Sequence, residues 1–538
     1  MSSNGSGVNA NTAKGGNGAF SPFGHSAFAL LWTATLISNI GTWMHEVGAG
    51  WLMTTLNPSP AVVTLVQAAT TLPVFVFALF AGALADRLDK RRMLITINIV
   101  MTGVVGVLAL LVWQEAMTPT LLILFTLAVG TGAAFMAPAW QSVVPHLVPR
   151  PRLKPAIALN SMGINISRAI GPALAGLLIA SVGLAAPFAL NAASHLVILA
   201  ALFFWRPDPT PRRVPHASLV EDMTTGLRHV RHNPAMRATA IRAAAFFVFA
   251  SAYWALLPLI ARSAEGGGAE LYGVLMALIG TGAVVGALIL PRLSGRFDSD
   301  TTVKLGSAGT ALALLAMAVS GASAALMFAA FLGGLSWIAV LTSFNVSAQT
   351  ALPDWVRARG LAVFLMVFFG SMALGSVIWG QIASLTSITS ALLIAAAGIL
   401  AGVVGTRSFK VGQGESLDLG PATSAWPEAP ELGEAQSADR AAMVTVEYEV
   451  DPEQTQSFLD ALADFKGERL RDGATRWDIH ESVETPGLWI ESFHLPSWAE
   501  HQAQHARMTQ SDADIQAKLR AFDKRPGGPV VKHFIAPK

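Results

Sequence analysis

His45 and Glu46 stand side by side in the segment TWMHEVGAGW, which interrupts a long apolar run. Of the acidic residues before position 407, Glu46 alone lies inside an apolar stretch. A charge there costs several kcal/mol in lipid, so such residues usually face a cavity and carry function. Burial favours the neutral acid, which can take up and release a proton, and Arg168 is a buried cation that would stabilise the ionised form. We therefore predict proton coupling at Glu46, Arg168 and His45, with an interfacial position of Glu46 as the alternative.

The composition indicates a membrane protein. Of the 538 residues, 53% are hydrophobic and 13% are charged, whereas a soluble domain holds about 25% charged residues. A bilayer core about 30 Å thick needs about 20 apolar residues per helix, and twelve such stretches follow one another. They are predicted at residues 26–52, 61–84, 93–113, 118–142, 156–181, 184–205, 238–261, 271–290, 303–321, 323–346, 360–383 and 386–406. The absence of cysteine excludes disulfides, thiolate metal sites and cysteine nucleophiles.

Recurring residues indicate that the twelve stretches form two parallel six-helix halves. At an offset of 204 positions, GALAD at 82–86 is matched by GALIL at 286–290, and LALL at 108–111 recurs at 312–315. Four further pairs share this offset: Gly130 and Gly334, Pro149 and Pro353, Gly171 and Gly375, and Gly176 and Gly380. The predicted halves are residues 26–205 and 238–406, joined by a connector at 206–237.

Lysine and arginine are concentrated in alternate loops. The loops that follow the even-numbered stretches carry them, whereas the opposite set of loops carries Arg262 alone. By the positive-inside rule, the basic loops and both termini lie in the cytoplasm. The connector contains the amphipathic segment SLVEDMTTGLRHVRHN, which we expect to lie along the membrane surface. Residues 1–25 lack a signal-peptide pattern and are predicted to be a disordered cytoplasmic tail.

The segment GALADRLDKRR, residues 82–92, joins the second and third stretches. It resembles the G-x-x-x-D-R/K-x-G-R-R/K motif of the major facilitator superfamily, with Asp89 in place of the second glycine. The resemblance implies the fold of that superfamily, an all-α membrane protein with twelve transmembrane helices. It also implies that the loop clasps neighbouring helix ends on the cytoplasmic side and stabilises the outward-facing state. The residues of this predicted conformational switch are Gly82, Asp86, Arg87, Lys90 and Arg91.

A second motif, SRAIGPALAG, lies in the fifth stretch. It is similar to the G-x-x-x-G-P-x-x-G-G signature of antiporters in the same superfamily, with small residues in place of two glycines. Small residues permit close helix approach, and proline removes a backbone donor and bends the helix. The resemblance implies that Ser167, Gly171, Pro172 and Gly176 pack the two halves together and limit leak. Ordinary small-residue packing is the alternative.

Three segments, NIGTWMHEVGAGWLMTTL, GALADRLDKRRML and NISRAIGP, resemble the transmembrane secretion effector branch of the superfamily. The resemblance covers residues 26–406 and, in longer members, the tail. It implies secondary export of amphiphilic molecules such as siderophores, antibiotics or drugs across the bacterial plasma (inner) membrane, with uptake as the alternative direction. No G-x-x-x-x-G-K-[ST] motif occurs, so we expect a proton gradient as the driving force. We expect no cofactor, no metal and no nucleic-acid partner.

The first, fourth, seventh and tenth stretches surround a central cavity in proteins of this superfamily. Their polar and aromatic residues are therefore candidates for substrate binding, and aromatic side chains favour flat or apolar substrates. The predicted cavity residues are Asn39, Trp43, Trp140, Gln141, Tyr253, Trp254, Asn345 and Gln349. Each is equally compatible with a structural role such as an interhelical hydrogen bond.

Residues 441–538 follow a Pro/Gly/Glu-rich linker at 407–440 and have the composition of a soluble domain. Periodicity predicts the element order βαββαβ, a ferredoxin-like α+β fold. The segments RWDIHES, WIESFHLPSWAEHQAQH and VVKHFI resemble the antibiotic-biosynthesis-monooxygenase-like dimeric α+β barrel. We expect a dimerising or regulatory module, hence self-association, and no enzyme. The alternative is a membrane-tethered oxygenase or haem-binding protein that uses His501 and His505 as ligands.

Overall fold

The computed structural model describes residues 20–206, 219–293, 296–422, 430 and 438–537. Within these ranges, twelve helices are long and apolar enough to cross a membrane. They are α1 (Ser26–Leu56), α2 (Pro60–Arg87), α3 (Lys90–Trp113), α4 (Pro119–Val143), α5 (Leu153–Ser181), α6 (Ala186–Phe204), α8 (Pro234–Ser263), α9 (Ala269–Leu293), α10 (Ser299–Val319), α11 (Ser323–Thr350), α12 (Arg357–Leu385) and α13 (Ile388–Gly405). Helix α7 (Leu219–His232) lies in the connector. Most of the predicted tail at 1–25 and parts of the predicted linker lie outside the described residues.

The twelve helices form two groups with the same internal packing. Helix α1 packs on α5 and α6 as α8 packs on α12 and α13, and α2 packs on α4 as α9 packs on α11. The groups meet mainly through two crossed pairs, α2 with α12 and α5 with α9, and also through α1 with α8 and α9. The predicted all-α fold of two six-helix halves is confirmed. The end at which α2 leads into α3 and α4 into α5 carries the basic loops and is called the basic end.

Glycines at helix crossings show which positions of the two halves correspond. A methyl group on Gly171 would lie 2.6 Å from the Cβ atom of Trp43 on α1, and one on Gly375 would collide with Ser251 on α8. In each half, therefore, the glycine lets one helix approach the backbone of another closely. Because both crossings have the same geometry, Gly171 corresponds to Gly375 and Trp43 corresponds to Ser251.

The correspondence between the halves differs from the constant offset of 204 predicted from the sequence. Lys90 and Ser299, the first residues of α3 and α10, are 209 positions apart, whereas Pro119 and Ser323, which begin α4 and α11, are 204 apart. The first half thus has extra residues between the start of α3 and the start of α4. The match at Gly82 precedes these extra residues and does not join equivalent positions, while the later glycine matches do.

The C-terminal domain consists of a four-stranded antiparallel sheet and three helices. Its elements are β1 (Ala442–Glu449), α14 (Thr455–Arg471), β2 (Arg476–Glu481), β3 (Leu488–Leu495), α15 (Trp498–Arg507), α16 (Gln510–Arg520) and β4 (Val530–Ile535). The strand order β2-β3-β1-β4 agrees with the predicted ferredoxin-like fold. The predicted single second helix is split, because Thr509 forms a capping box with Asp512 that starts α16.

The C-terminal domain packs against the second half at the basic end. Arg228 on α7 forms an ion pair of 3.0 Å with Glu500 on α15. The guanidinium carbon of Arg507 lies 4.6 Å from the ring centre of Trp355, just before α12. Helix α7 also contacts α12, α2 and α14, so protein covers much of the amphipathic helix that we expected to lie along the membrane surface.

Candidate functional site

Helix α1 presents one face to the contact between the two halves. Trp43, Glu46 and Gly50 recur at helical spacing and therefore share this face. Trp43 packs against α5, and a methyl group on Gly50 would lie 2.8 Å from the hydroxyl of Tyr272 on α9. Glu46, between them and half-buried, also lies near Tyr272. The carboxyl group is thus placed where α1 meets the other half.

Arg168 on α5 is the cation that this face of α1 meets. Its guanidinium carbon lies 5.3 Å from the centre of the Trp43 ring, which is a cation–π geometry. Glu46 lies near Arg168, although the two residues do not form a direct ion pair in the structure. Within the described part of the chain, the Arg168 Nε atom is buried without a hydrogen-bond partner. An unpaired buried donor is costly, so this guanidinium can still bind a further acceptor.

The second half places a cluster of aromatic side chains next to Arg168. Tyr253 on α8 lies near Arg168, and its ring centre is 5.3 Å from that of Trp254 and 6.0 Å from that of Trp337 on α11. Trp337 was absent from the predicted cavity residues. Its signal in the sequence was its position about two helical turns before Asn345 on the same stretch.

Tyr272 and Trp51 are two further residues that the sequence reasoning missed. Their rings stack with centres 6.3 Å apart, next to Glu46 and on opposite sides of the contact between the halves. The chain contains three tyrosines, two of which lie in membrane-spanning helices. This rarity was the available signal for Tyr272.

The end of the bundle opposite the basic end is joined across the two halves. Arg262 at the end of α8 donates from Nη1 to the carbonyl of Thr54 on α1 and lies 3.2 Å from the Thr54 hydroxyl. The stacked pair Trp51 and Tyr272 lies one helical turn deeper. Helices α4 and α11 pack within their own halves, on α2 and α3 and on α9 and α10 respectively.

His45 lies on the other face of α1, inside the first half. Its ring packs at 5.1 Å against that of Phe188 on α6, and neither of its nitrogens has a hydrogen-bond partner among the described residues. Close by, His195 Nδ1 and Asn98 Oδ1 are 3.0 Å apart. The structure therefore brings Glu46 and Arg168 together and places His45 in a separate buried polar cluster.

The remaining predicted cavity residues are dispersed. Trp140 is 9% exposed, packs in the core of the first half and donates from Nε1 to Asn160 Oδ1 at 3.0 Å. The Asn345 amide donates to a carbonyl of its own helix at 3.0 Å. Gln141 and Gln349, near the basic end, are exposed, and Asn39 is half-buried. Of the predicted set, Trp43, Tyr253 and Trp254 join the Glu46–Arg168 neighbourhood.

The predicted conformational-switch loop contacts neighbouring helix ends. Lys90 Nζ donates to the carbonyl of Ser142 on α4 at 3.2 Å. Arg91 donates from Nε to the carbonyl of Leu202 at 2.9 Å and from Nη2 to that of Phe203 at 3.0 Å, both at the end of α6. A methyl group on Gly82 would meet open space. Two side chains of this set lie outside the described part of the structure: those of Asp86 and Arg87.

Asp89, which replaces a glycine of the superfamily motif, caps α3. Its φ is −63°, a value that needs no glycine, and its Oδ1 accepts from the backbone N–H of Arg92 at 2.8 Å. In the second half, Asp298 caps α10 in the same way and accepts from the N–H of Thr301 at 3.0 Å. An aspartate N-cap therefore begins the corresponding helix in both halves.

The residues of the antiporter-like motif lie between helices of both halves. The Ser167 hydroxyl donates to the carbonyl of Leu36 on α1 at 3.3 Å. A methyl group on Gly176 would lie 2.8 Å from the carbonyl oxygen of Ala269 on α9. Pro172 is buried within α5. These small residues let α5 approach α1 on one side and α9 on the other, with Arg168 on the same helix.

Two pseudosymmetric six-helix halves, with a carboxyl group and a guanidinium near their contact, define a membrane transporter of the major facilitator superfamily. Residues 17–538 match the family described as transmembrane secretion effector, so the chain belongs to that family. The match includes the C-terminal domain. Within the described residues, no cluster of three or more histidine, aspartate or glutamate side chains is arranged to hold a metal ion.

Curated relatives are transporters at low identity. The chain is 24% identical over 347 residues to the staphyloferrin A transporter of Staphylococcus aureus, covering 63% of this chain and 85% of that protein. It is 27% identical over 403 residues to the enterobactin exporter EntS of Shigella boydii, covering 72% and 94%. Together with the twelve helices, these relatives support a multi-pass protein of the bacterial inner membrane.

Solved structures share the fold. A bacterial homologue of the lysosomal transporter Spinster aligns with a TM-score of 0.56 at 14% identity, covering 74% of this chain and 96% of that one. The nucleoside transporter NupG aligns with a TM-score of 0.60 at 14% identity, covering 71% and 99%.

Proposed function

We propose that the protein is a proton-coupled exporter of amphiphilic small molecules, with Glu46 as the proton-binding group and Arg168 as its partner. The observation that carries this proposal is the approach of Glu46, Arg168 and Trp43 where α1 meets the other half. Arg168 lowers the cost of a partly buried carboxylate and so keeps Glu46 able to ionise. A group that can exist in both charge states at a contact between moving halves is suited to coupling.

Antiport requires that proton and substrate exclude each other. Ionised Glu46 accepts hydrogen bonds from hydroxyl, amide or amino groups of a substrate whose rings pack on Trp254 and Tyr253. Protonation of Glu46 replaces the carboxylate by a weaker, neutral acceptor, and the affinity for the substrate falls. By linkage, the substrate weakens proton binding by the same factor. Because few charges line the site, we propose weakly charged amphiphilic substrates, of which siderophores, antibiotics and drugs are examples. We place both termini in the cytoplasm, with export towards the outside.

The experiment is transport in proteoliposomes with an imposed pH gradient and a panel of siderophores and amphiphilic drugs. For Glu46→Gln we expect loss of uphill transport by at least about tenfold, because the glutamine side chain keeps a neutral acceptor oxygen but cannot take up or release a proton. Downhill exchange of the same substrate persists. The matched control is Glu270→Gln, an exposed acid in the first turn of α9. Uphill export at the unchanged rate in Glu46→Gln would place the coupling elsewhere.

We further propose that the protein is not an enzyme and that its C-terminal domain supports self-association. The sheet face away from the helices exposes Val530 and Phe534 on the edge strand β4, which offers an apolar surface to a second copy. Chemical cross-linking in the membrane, with Phe534→Lys as the variant, tests this. Equal cross-linking of both proteins would exclude this face as the contact.

A further inference from the structure

The first half has an open polar pocket at the basic end of the bundle, of about 320 Å³. Its walls come from the start of α1, the turn that follows α4 and the residues that follow α6. The volume lies within the range of about 300–1,000 Å³ that is usual for ligand sites. The pocket therefore has room for a polar headgroup and not only for single waters.

Two imidazoles in the lining are held by cations. Lys90 Nζ lies 3.1 Å from His146 Nε2, and Arg152 Nη1 lies 2.8 Å from His25 Nε2. Ammonium and guanidinium groups can only donate, so each Nε2 accepts and each Nδ1 carries the proton. Both rings are then neutral donors with a positive charge fixed behind them. Such donors suit an anionic ligand and disfavour a cation.

The pocket carries an excess of positive charge. Arg206 lines it and is exposed, and the lining contains no acidic side chain among the described residues. The first turn of α1, with Ser26 and Ala27 in the wall, has no side-chain cap and no acidic residue, and the positive end of its helix dipole adds to this charge. An anion in the pocket would meet several donors and no competing carboxylate.

In the second half, a segment of the chain itself takes the corresponding place. Ala351 lies 204 positions after Leu147, which lines the pocket, and 204 is also the offset between the starts of α4 and α11. A methyl group on Gly414, in the short 3₁₀ helix Gln413–Ser416, would lie 2.6 Å from the Cα atom of Ala351. The same short helix contacts α8, the counterpart of α1. In the described part of the first half, the corresponding place is the open pocket.

The segment that takes this place in the second half is acidic. Its Glu415 carboxylate accepts a hydrogen bond from the hydroxyl of Ser299, the first residue of α10. The counterpart of Ser299 in the first half is Lys90, the first residue of α3, which holds His146. The second half thus binds a carboxylate through a hydroxyl, and the first half offers a cation at the corresponding position. The preference of the first half for an anion is therefore the stronger one.

Apolar side chains next to the pocket indicate that the anion belongs to a lipid. Phe203 and Phe204, at the end of α6, are each 73% exposed and directly precede Trp205 and Arg206 of the pocket wall. Exposed rings at the end of a membrane-spanning helix face acyl chains, and tryptophan is typical of the level of the headgroups. Basic residues beside a membrane surface attract anionic lipids. A free phosphate ion would make no contact with these rings.

We propose that this pocket binds the phosphate group of an anionic phospholipid, with its acyl chains against Phe203 and Phe204. The lipid joins the ends of α1, α4 and α6, as the short helix Gln413–Ser416 joins α8 and α11. Arg206 and the two imidazoles donate to the phosphate oxygens, while Lys90 and Arg152 act through the imidazoles. The site lies about 30 Å along α1 from Glu46 and takes no part in proton binding there.

Binding is measured by native mass spectrometry of the full-length protein in detergent, titrated with phosphatidylglycerol. We expect one tightly bound lipid per chain, with an affinity that falls about fivefold or more in Arg206→Gln and also falls in His146→Leu. Arg407→Gln is the matched control, because Arg206 and Arg407 each follow the C-cap of the last helix of their half, and it should bind normally. Equal affinity for phosphatidylcholine, or an equal loss in Arg206→Gln and Arg407→Gln, would overturn the assignment.

Thermal unfolding in the same detergent tests whether the lipid joins the helix ends. Phosphatidylglycerol should raise the unfolding temperature of the unaltered protein and of Arg407→Gln, and much less that of Arg206→Gln. Inorganic phosphate at the same concentration should leave all three temperatures unchanged. An equal rise with inorganic phosphate would make this a site for the free anion, and an equal rise with lipid in all three proteins would refute a stabilising contact at this pocket.

Discussion

The two halves of the bundle share their packing and differ in the side chains at their contact. Ser26 and Pro234, the first residues of α1 and α8, are 208 positions apart, and the same shift relates Glu46 to Trp254. Along α5 and α12, Arg168 corresponds to Met372. The first half thus contributes a carboxyl group and a guanidinium where the second contributes an indole and a thioether.

This difference separates the glycines that pack the helices, which the two halves share, from the side chains at the contact, which they do not share. Helix packing is the same in the two halves because Gly171 and Gly375 both lie against the backbone of a neighbouring helix. We expect replacement of either glycine to disturb the helix crossing in its own half. The side chains at the contact between the halves need not match in the same way, since each of them faces the other half. In the proposed mechanism, Glu46 and Arg168 give one side of the site a single titrating centre, while Tyr253, Trp254 and Trp337 give the opposite side a surface for apolar rings.

The largest expected effect comes from making the first half resemble the second at Arg168. In Arg168→Met, Glu46 loses its nearby positive charge, and the partly buried carboxyl then stays neutral. We expect uphill transport in proteoliposomes to fall by at least about tenfold, which is about 1.4 kcal/mol or more in the coupling step. Met372→Leu, the matched change in the second half, should transport normally. If Arg168→Met transports as well as Met372→Leu, the asymmetry has no role in coupling.

Adding a methyl group at each of the two equivalent glycines tests whether the two halves share their helix packing. We expect both Gly171→Ala and Gly375→Ala to lower stability by about 1–3 kcal/mol, the usual cost of inserting a methyl group into a packed contact. The measurement is thermal unfolding in detergent. Gly106→Ala is the control, because a methyl group there meets open space. A large loss at one glycine and none at the other would show that the crossings are not equivalent.

Much of this arrangement was predictable, since long apolar stretches and glycine motifs are local signals. The twelve helices, the strand order of the C-terminal domain and the close helix approach at Gly171 follow from such patterns. The contact between Arg168 and Trp43 does not, because it depends on how α5 rotates against α1. The same holds for Tyr272, which reaches Glu46 only through tertiary packing. The constant repeat offset was wrong because an insertion before α4 leaves no local mark.

A smaller effect concerns the C-terminal domain, which packs on α7 and on the second half. His229 on α7 is fully buried beside Trp355, and burial, with a smaller contribution from Arg471, lowers its pKa from 6.5 to about 3. The docked state therefore binds fewer protons, so docking is strongest above about pH 6.5 and weakens as the pH falls below it. We expect a loss of about 2 kcal/mol at pH 5.

Hydrogen exchange of α7 and α15 in the full-length protein measures this docking. Amide protection, corrected for the intrinsic pH dependence of exchange, should fall between pH 7 and pH 5 while that of α1 stays constant. In His229→Phe the fall should be much smaller. Constant protection of α7 over this range in the unaltered protein would show that His229 does not control the contact.

The smallest expected effect is at the caps of α3 and α10, and it bears on whether the two halves differ at their basic loops. Glycine at an N-cap costs only a few tenths of a kcal/mol relative to aspartate, whereas alanine costs about 1 kcal/mol. Asp89→Gly and Asp298→Gly should therefore lower the unfolding temperature slightly and equally, and the alanine variants should lower it more. Because φ at Asp89 is −63°, the glycine of the superfamily motif should give this turn no conformational advantage. Transport is then compared between the two glycine variants. If Asp89→Gly alters the rate and Asp298→Gly does not, the loop between α2 and α3 acts in the transport cycle beyond capping, and the asymmetry of the two halves extends from their contact to the basic end.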